Sequence, residues 1–197
     1  MTDAQRAETT SLLESWEHTG PDQWERLLPV VYDELRRLAH RHMAREHGMR
    51  TLQTTALVHE AFMRLVDDSV VTRKGRAYFF AAASRAMRQV LVDNARRRGA
   101  HKRGGAAAEI TGLEAADEEA QLDAAADELL DLNSALEELA ALEPRHARVV
   151  ECRFFAGMSV EETAEALNVS ERTIKGDWAL ARAWLYRRLG GRELPSR

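Results

Sequence analysis

The chain has 197 residues, of which 45% are hydrophobic and 30% are charged. This apolar content excludes wholesale disorder and allows one domain or two small ones. Its apolar runs are too short for a membrane-spanning helix, and its N-terminus lacks the basic start and apolar stretch of a secretory signal. A single cysteine, Cys152, excludes an internal disulfide framework, so we expect a soluble cytoplasmic protein.

The composition favours helix along the whole chain. Prolines are few, alanine and leucine are abundant, and no segment alternates convincingly between apolar and polar residues. We predict an all-α fold with two small helical domains, at residues 22–104 and 133–192. Residues 1–21 form a separate N-terminal segment. Residues 105–132, rich in Ala, Asp and Glu, are expected to be a flexible acidic linker, with nascent helix around AADEEAQLDAAADELLDL. A capped helix is predicted from Ser134 through Leu142, and Pro144 can open the next helix, which ends near Gly157.

Charge is divided by position although the formal net charge is only −4. Residues 71–104 hold ten Lys or Arg and one acidic residue. Residues 105–143 hold twelve Asp or Glu and no Lys or Arg. The basic block favours a polyanionic partner, whereas the acidic block is typical of a solvated spacer.

A helix is predicted over residues 56–67, because its apolar residues share one face. The opposite side carries His59, Glu60, Met63 and Arg64. This side could be an ordinary solvated surface with an ion pair between Glu60 and Arg64.

A longer helix is predicted from about Ala77 to Arg98, and Gly99 and the pair Gly104–Gly105 end the element. Its apolar face comprises Phe79, Phe80, Ala83, Met87, Val90, Leu91 and Asn94. Its other face is basic and comprises Arg85, Arg88, Gln89 and Arg96. The amides Gln89 and Asn94 could pair with adenine edges, although Asn94 also suits a buried, satisfied amide. The basic tail that follows could instead be a solubilising or non-specific polyanion-binding segment.

The segment from Met158 to Leu189 predicts a helix-turn-helix. Ser159 and Glu162 form a capping box, and Asn168 suits a left-handed C-cap. Ser170 can cap the second helix, whose N-terminal end would enter the major groove of DNA. The side chains expected to meet DNA there are Ser170, Glu171, Arg172, Thr173 and Lys175. The alternative is a plain helical hairpin with a solvated charged face.

The order of these parts resembles an extracytoplasmic-function (ECF) sigma factor of the sigma-70 family. The resemblance covers about residues 10–192. It rests on the stretches LLPVVYDELRRLA, LQTTALVHEAFMRLVD, YFFAAASRAMRQVLVDNARRRGAHKRGG, ALEELAALEPRHARVVECRFFAGMSVEETAEALNVSERTIK and DWALARAWLYRRL. As a set in this order they are highly specific, although no single stretch is.

The resemblance implies a role for each part. The N-terminal domain would bind the clamp helices of core RNA polymerase through His59, Glu60, Met63 and Arg64. The C-terminal domain would read the −35 promoter element through its second helix. Recognition and melting of the −10 element would fall to Tyr78, Arg85, Arg88, Gln89, Asn94, Arg96, Arg97, Arg98, Lys102 and Arg103.

Two departures from the family pattern are visible. His59 stands where many members have Gln. Where many members carry aromatic residues in the melting helix, this chain reads Ala81-Ala82-Ala83-Ser84. Because Phe79 and Phe80 lie on the apolar face, Tyr78 is the remaining candidate to stack on a base.

No enzymatic activity, cofactor or metal is expected. His59 and Glu60 begin an H-E-x-x-H pattern, but Met63 stands where its second His belongs. The expected partners are core RNA polymerase and promoter DNA; the resemblance also allows an anti-sigma factor or another regulator, and no membrane insertion is expected. A stand-alone helix-turn-helix regulator is the alternative function. A nucleic-acid enzyme is disfavoured because no acid–base set appears.

Overall fold

The computed structural model describes residues 9–11, 21–45, 54–66, 75–103 and 113–192. Within those ranges every regular element is helical and no strand occurs, as predicted. The elements are α1 (Pro21–Arg45), α2 (Thr54–Val66), α3 (Gly75–Arg103), α4 (Leu113–Leu142), α5 (Pro144–Val150), a π-helical turn (Glu151–Phe155), α6 (Val160–Leu167) and α7 (Glu171–Arg188).

The first three helices, here called the N-terminal half, form the larger core. Helix α2 packs on α1 and α3. The side chains of Leu35, Leu57, Phe79 and Met87 are almost completely buried there. Leu57, Phe79 and Met87 are positions of the apolar faces that helical periodicity predicts for α2 and α3, so burial of those faces explains the packing.

Helices α4 to α7, here called the C-terminal half, hold two smaller apolar clusters. One joins the end of α4 to α5, the π-helical turn and α7, and its members include Leu139, Phe155 and Leu185. The other joins Val149 and Ala164 to Ile174, at the junction between α6 and α7. The small side chain of Ala164 suits this close junction.

The acidic segment departs from its predicted structure. Residues 105–132 were expected to form a flexible linker, with a helix starting at Ser134, but α4 is helical from Leu113 onward. Alanine and leucine have high helix propensity, and Ala126 and Leu129 are buried in the core cluster of the N-terminal half. Residues 105–112 lie outside the described ranges, and the two-domain division stays a prediction.

Helix α3 is longer than expected. The sequence predicts an end at Gly99, yet the helix continues to Arg103. A glycine inside a helix costs about 1 kcal/mol relative to alanine. Contacts between α3 and α4 offset this cost, among them the ion pair of Arg98 and Asp123, with 3.1 Å between Nε and Oδ1.

The helix that begins at Pro144 widens into a π-helical turn before Gly157. The amide of Ala156 donates to the carbonyl of Glu151 at 2.9 Å, which is an i to i−5 bond. Gly157 then has a φ of +69° and lies against the Arg41 guanidinium of α1. The sequence predicts the end at Gly157 but not the wide turn.

Candidate nucleic-acid interface

The turn between α6 and α7 has the caps that the sequence predicts. Ser159 accepts a hydrogen bond from the amide of Glu162, whose carboxylate accepts from the amide of Ser159. Asn168 is left-handed, with a φ of 53°. Ser170 accepts from the amide of Thr173 and begins α7. These local bonds fix where α6 ends and where α7 begins.

The start of α7 presents polar side chains to solvent. Arg172 is exposed, and Thr173 is half-buried. Lys175 is exposed and lies 3.5 Å from the Glu171 carboxylate. Ser170 is also exposed, and its hydroxyl lies 2.9 Å from that of Thr173. All five residues expected to meet DNA here therefore lie together at one helix end, whose free amides favour a phosphate.

Asp177 anchors α7 to α5. Its buried carboxylate accepts two hydrogen bonds from Arg145, at 2.5 Å and 3.1 Å. His146 Nε2 lies 3.3 Å from the same carboxylate. The Arg145 hydrogen bonds hold the pKa of Asp177 below its ordinary value, with a smaller contribution from His146. Sequence analysis did not single out Asp177. The pattern that could have indicated its anchoring role is an acidic residue on the apolar face of α7.

The basic surface of α3 is only partly as predicted. Arg85, Arg96 and Arg97 are exposed, and Gln89 and Tyr78 are half-buried. The half-buried Asn94 donates to the Val90 carbonyl and accepts from Arg97. Arg98 is paired with Asp123 of α4. The side chains of Lys102 and Arg103 lie outside the described residues, although their backbone is helical.

Arg88 lies on the predicted basic side of α3, but it is buried. Its side chain is 6% exposed, and its Nη2 lies 2.5 Å from the Glu151 carboxylate of the π-helical turn. Its Nη1 donates to the side-chain oxygen of Asn133 in α4. A helical wheel shows the two sides of α3 but not that α4 and the π-helical turn cover Arg88. Arg88 therefore does not face solvent in this conformation.

The surface of α2 matches its predicted faces. The apolar side chains Leu57, Val58 and Ala61 are buried, whereas His59, Glu60, Met63 and Arg64 are exposed. Met63 is 65% exposed. Arg64 pairs with Asp93 of α3 at 2.8 Å rather than with Glu60. The four residues expected to meet core polymerase thus share one surface.

Among the described residues, no group of three or more His, Cys, Asp or Glu side chains could hold a metal ion. Cys152 is buried, as expected, and burial raises the pKa of its thiol to about 12. The described helices include none long and apolar enough to cross a membrane.

An all-α chain whose C-terminal helix pair exposes basic side chains at one helix end is typical of DNA-binding proteins. Residues 6–191 match the family model described as ECF sigma factor, so the chain belongs to that family. No curated protein matches the chain. The family assigns it the role of an RNA polymerase sigma factor, a regulatory protein that binds core RNA polymerase and promoter DNA.

Proposed function

We propose that this sigma factor directs core RNA polymerase to specific promoters and initiates transcription there, without making or breaking a bond itself. The family match across residues 6–191 carries the proposal. Exposed side chains on α2, α3 and α7 supply surfaces suited to polymerase and to DNA. Such a protein acts in the cytoplasm, where promoter DNA and polymerase are found. An anti-sigma factor or another regulator is a further proposed partner.

The −35 element is assigned to the start of α7. Arg172 and Lys175 are exposed there and can reach guanine or phosphate, and Thr173 can contact either a base or a phosphate. Ser170 and Glu171 complete the surface. The capped turn before α7 supports this assignment, because it aims the helix N-terminus outward.

The −10 element and its melting are assigned to α3. Arg85, Arg96 and Arg97 are exposed and would follow phosphates, in contacts whose affinity falls with salt. Gln89 and Asn94 would read base edges, and Tyr78 would stack on a base. The remaining cations assigned to this surface are Arg88, Arg98, Lys102 and Arg103.

Core-polymerase binding is assigned to His59, Glu60, Met63 and Arg64 of α2. The exposure of Met63 is compatible with this assignment, because methionine is enriched in protein interfaces. The N-terminal half would then hold both the polymerase-binding and the −10 surfaces, and residues 133–192 the −35 surface.

Transcription in vitro tests the proposal. The purified protein is mixed with sigma-free core polymerase and fragments of its own genome, and transcript starts are mapped. We expect starts that share two spaced upstream elements and that disappear when the protein is omitted. Specific duplex binding by the protein alone, without polymerase binding and without starts, would instead establish a stand-alone helix-turn-helix regulator.

A further inference from the structure

A cavity of about 550 Å³ is lined by α2 and α3 on one side and by α4, α5, the π-helical turn and α6 on the other. The proposed function does not use it as a ligand site. Its volume falls within the range of small-molecule pockets, about 300–1,000 Å³. The side chains that line it therefore determine which small molecule it can bind.

Most of the cavity wall is apolar and made of small side chains. Ala81 and Ala82 of α3 line it from the N-terminal half, and Ala140 of α4 and Ala147 of α5 line it from the C-terminal half. Ala81 and Ala82 belong to the run Ala81-Ala82-Ala83-Ser84, which has no aromatic side chain. A larger side chain at either position would reduce the space. The cavity thus depends on small residues of this chain, and its wall suits an apolar molecule.

Two guanidinium groups at the cavity have no acidic partner among the described residues. Arg85 belongs to α3 and Arg148 to α5, so the two side chains come from different halves of the molecule. Both are exposed, and neither side chain makes an ion pair or a hydrogen bond within the described part of the chain. Each guanidinium therefore has all of its N–H donors available to a ligand.

The other charged groups at the cavity have partners. Four arginines and two glutamates line it. Among them Arg88 and Glu151 pair with each other, and Arg64 pairs with Asp93 of α3. Glu137 accepts a hydrogen bond from an asparagine amide of α4 at 2.8 Å. The lining is therefore positively charged, and its two unpaired guanidiniums are the groups that a negative charge would meet.

Arg85 and Arg148 both lie near the side chain of Cys152, which also lines the cavity. Burial raises the pKa of the Cys152 thiol, with a smaller contribution from Glu151, and both guanidiniums oppose that rise. Two positive charges near one point repel each other, and an anion between them would remove that cost. An oxyanion suits the arrangement, because a guanidinium binds carboxylate or phosphate oxygens through paired N–H donors.

We propose that this cavity is a binding site for a small amphipathic anion, with its oxyanion between Arg85 and Arg148 and its apolar body against the alanines of α3 and α4. A carboxylate and a phosphate monoester share this chemistry. A neutral molecule of the same shape would leave both guanidiniums unpaired and would bind more weakly.

Occupancy of this site would make the protein responsive to the concentration of a small molecule. Tyr78, Arg85 and Gln89 line the cavity and are also assigned to the −10 element. A bound anion and single-stranded nucleic acid would therefore compete for Arg85. This consequence, unlike the site itself, rests on the proposed function of α3.

Isothermal titration calorimetry of the full chain tests the site without polymerase or DNA. The probes are octyl phosphate, octanoate and, as the neutral control, 1-octanol. We expect saturable one-to-one binding of at least one anionic probe and weaker binding of 1-octanol. Tighter binding of octyl phosphate would assign the site to phosphate esters, and tighter binding of octanoate would assign it to carboxylates. No saturable binding of either anion, or equal binding of 1-octanol, would overturn the proposal.

The variants Arg148→Gln and Arg85→Gln each remove one charge and keep most of the side-chain length. We expect either change to weaken binding of the anionic probe by about 10- to 150-fold, the range for loss of a hydrogen bond to a charged group. Arg187→Gln is the matched control, because it removes an exposed guanidinium of α7 that does not line the cavity. Equal affinities of Arg148→Gln, Arg187→Gln and wild type would overturn the site.

Ala140→Phe tests the apolar part of the site, because it reduces the space and leaves every charge in place. We expect it to weaken binding of octyl phosphate and octanoate alike, and unchanged affinity for both would contradict the assignment of the cavity. Ala140 is exposed at the surface of α4, so the larger side chain does not enter a packed core. Far-UV circular dichroism and a thermal melt identify any variant that fails to fold.

Fluorescence anisotropy with a labelled single-stranded 20-mer of mixed sequence tests the competition. We expect a saturating concentration of the tighter probe to weaken binding of the 20-mer to wild type, and to have less effect on Arg148→Gln. An unchanged affinity for the 20-mer with the cavity occupied would overturn the competition and leave the ligand site established. Failure of the transcription experiment with probe binding intact would count against the proposed function alone.

Discussion

At the scale of single residues, Asp177 shows how a buried carboxylate can position a helix. It lies seven residues after the Ser170 cap, on the face of α7 turned toward α5, and it accepts hydrogen bonds from the Arg145 guanidinium. Neither residue is assigned a contact with DNA. Together they fix the orientation of α7 relative to α5, and hence the direction in which Arg172 and Lys175 project.

The lowered pKa of Asp177 predicts a pH-dependent stability. A carboxyl group with a lowered pKa stabilises the folded state above its unfolded pKa, and that contribution is lost as the pH falls through the folded value. Urea unfolding should show that Asp177→Asn costs about 1–2 kcal/mol at pH 7, a value reduced by the exposure of Arg145. The difference from wild type should shrink below about pH 4.

Glu138→Gln is the control for this measurement, since its pair with Arg188 is exposed to solvent and its loss should leave the free energy of unfolding nearly unchanged at pH 7. A cost of Asp177→Asn that is the same at pH 7 and pH 3.5 would assign the effect to packing rather than to the charge of Asp177.

A second prediction at the scale of single residues concerns Arg172 and Lys175. Removing either side chain should weaken binding of promoter duplex by about 5- to 150-fold, because a good base contact contributes about 1–3 kcal/mol of discrimination. Gel-shift titrations with the upstream element found by transcription mapping would measure it. Arg187→Ala removes the same charge at the far end of α7 and should weaken binding much less. Unchanged promoter selectivity in both variants would exclude α7 as the reader of this element.

At the scale of elements, predictions succeeded where the signal was local. Ser159, Asn168 and Ser170 determine the limits of α6 and α7 through bonds to residues at most four positions away, so the sequence alone predicts them. Gly99 and the acidic segment misled prediction. In both cases distant packing between α3 and α4 decided the structure.

The cap at Ser159 predicts that two serine-to-alanine changes differ in their effect on the free energy of unfolding. Ser159→Ala removes the side-chain acceptor of the capping box and should lower the free energy of unfolding by about 1 kcal/mol. Ser134→Ala changes an exposed serine inside α4, where alanine has the higher helix propensity, and should cost nothing. Chemical denaturation of both variants measures the difference. Equal effects would show that the cap does not stabilise α6.

At the scale of the whole molecule, the contact between the halves is what sequence analysis could not predict. Arg88 and Glu151 are 63 positions apart, and periodicity places each on its own helix without indicating that they meet. The one available signal was a glutamate within the apolar stretch RVVECRFF. The surfaces of α2 and α7 were predictable, because each depends on one helix face or one helix end.

Cys152 allows the contact between the halves to be tested without engineered labels, since it is the one cysteine of the chain. It is buried beside the contact between the halves, and burial raises its pKa to about 12, so the unreactive thiol form dominates at pH 8. Alkylation by iodoacetamide should be slow in the wild type and faster in Glu151→Gln, because that change removes the charge that pairs with Arg88 across the contact. Rapid alkylation of the wild type would contradict burial of Cys152 beside this contact.

Helix α4 also determines how far apart the halves can move. Its thirty residues span about 45 Å as a helix, whereas the same residues as extended chain reach about 100 Å. Only its later part belongs to the cluster with α5 and α7, so its first turns can unwind without breaking that cluster. The helix content of α4 therefore determines the distance between the halves. A rigid α4 would admit one spacing between the two promoter elements, and an unwound α4 would tolerate several.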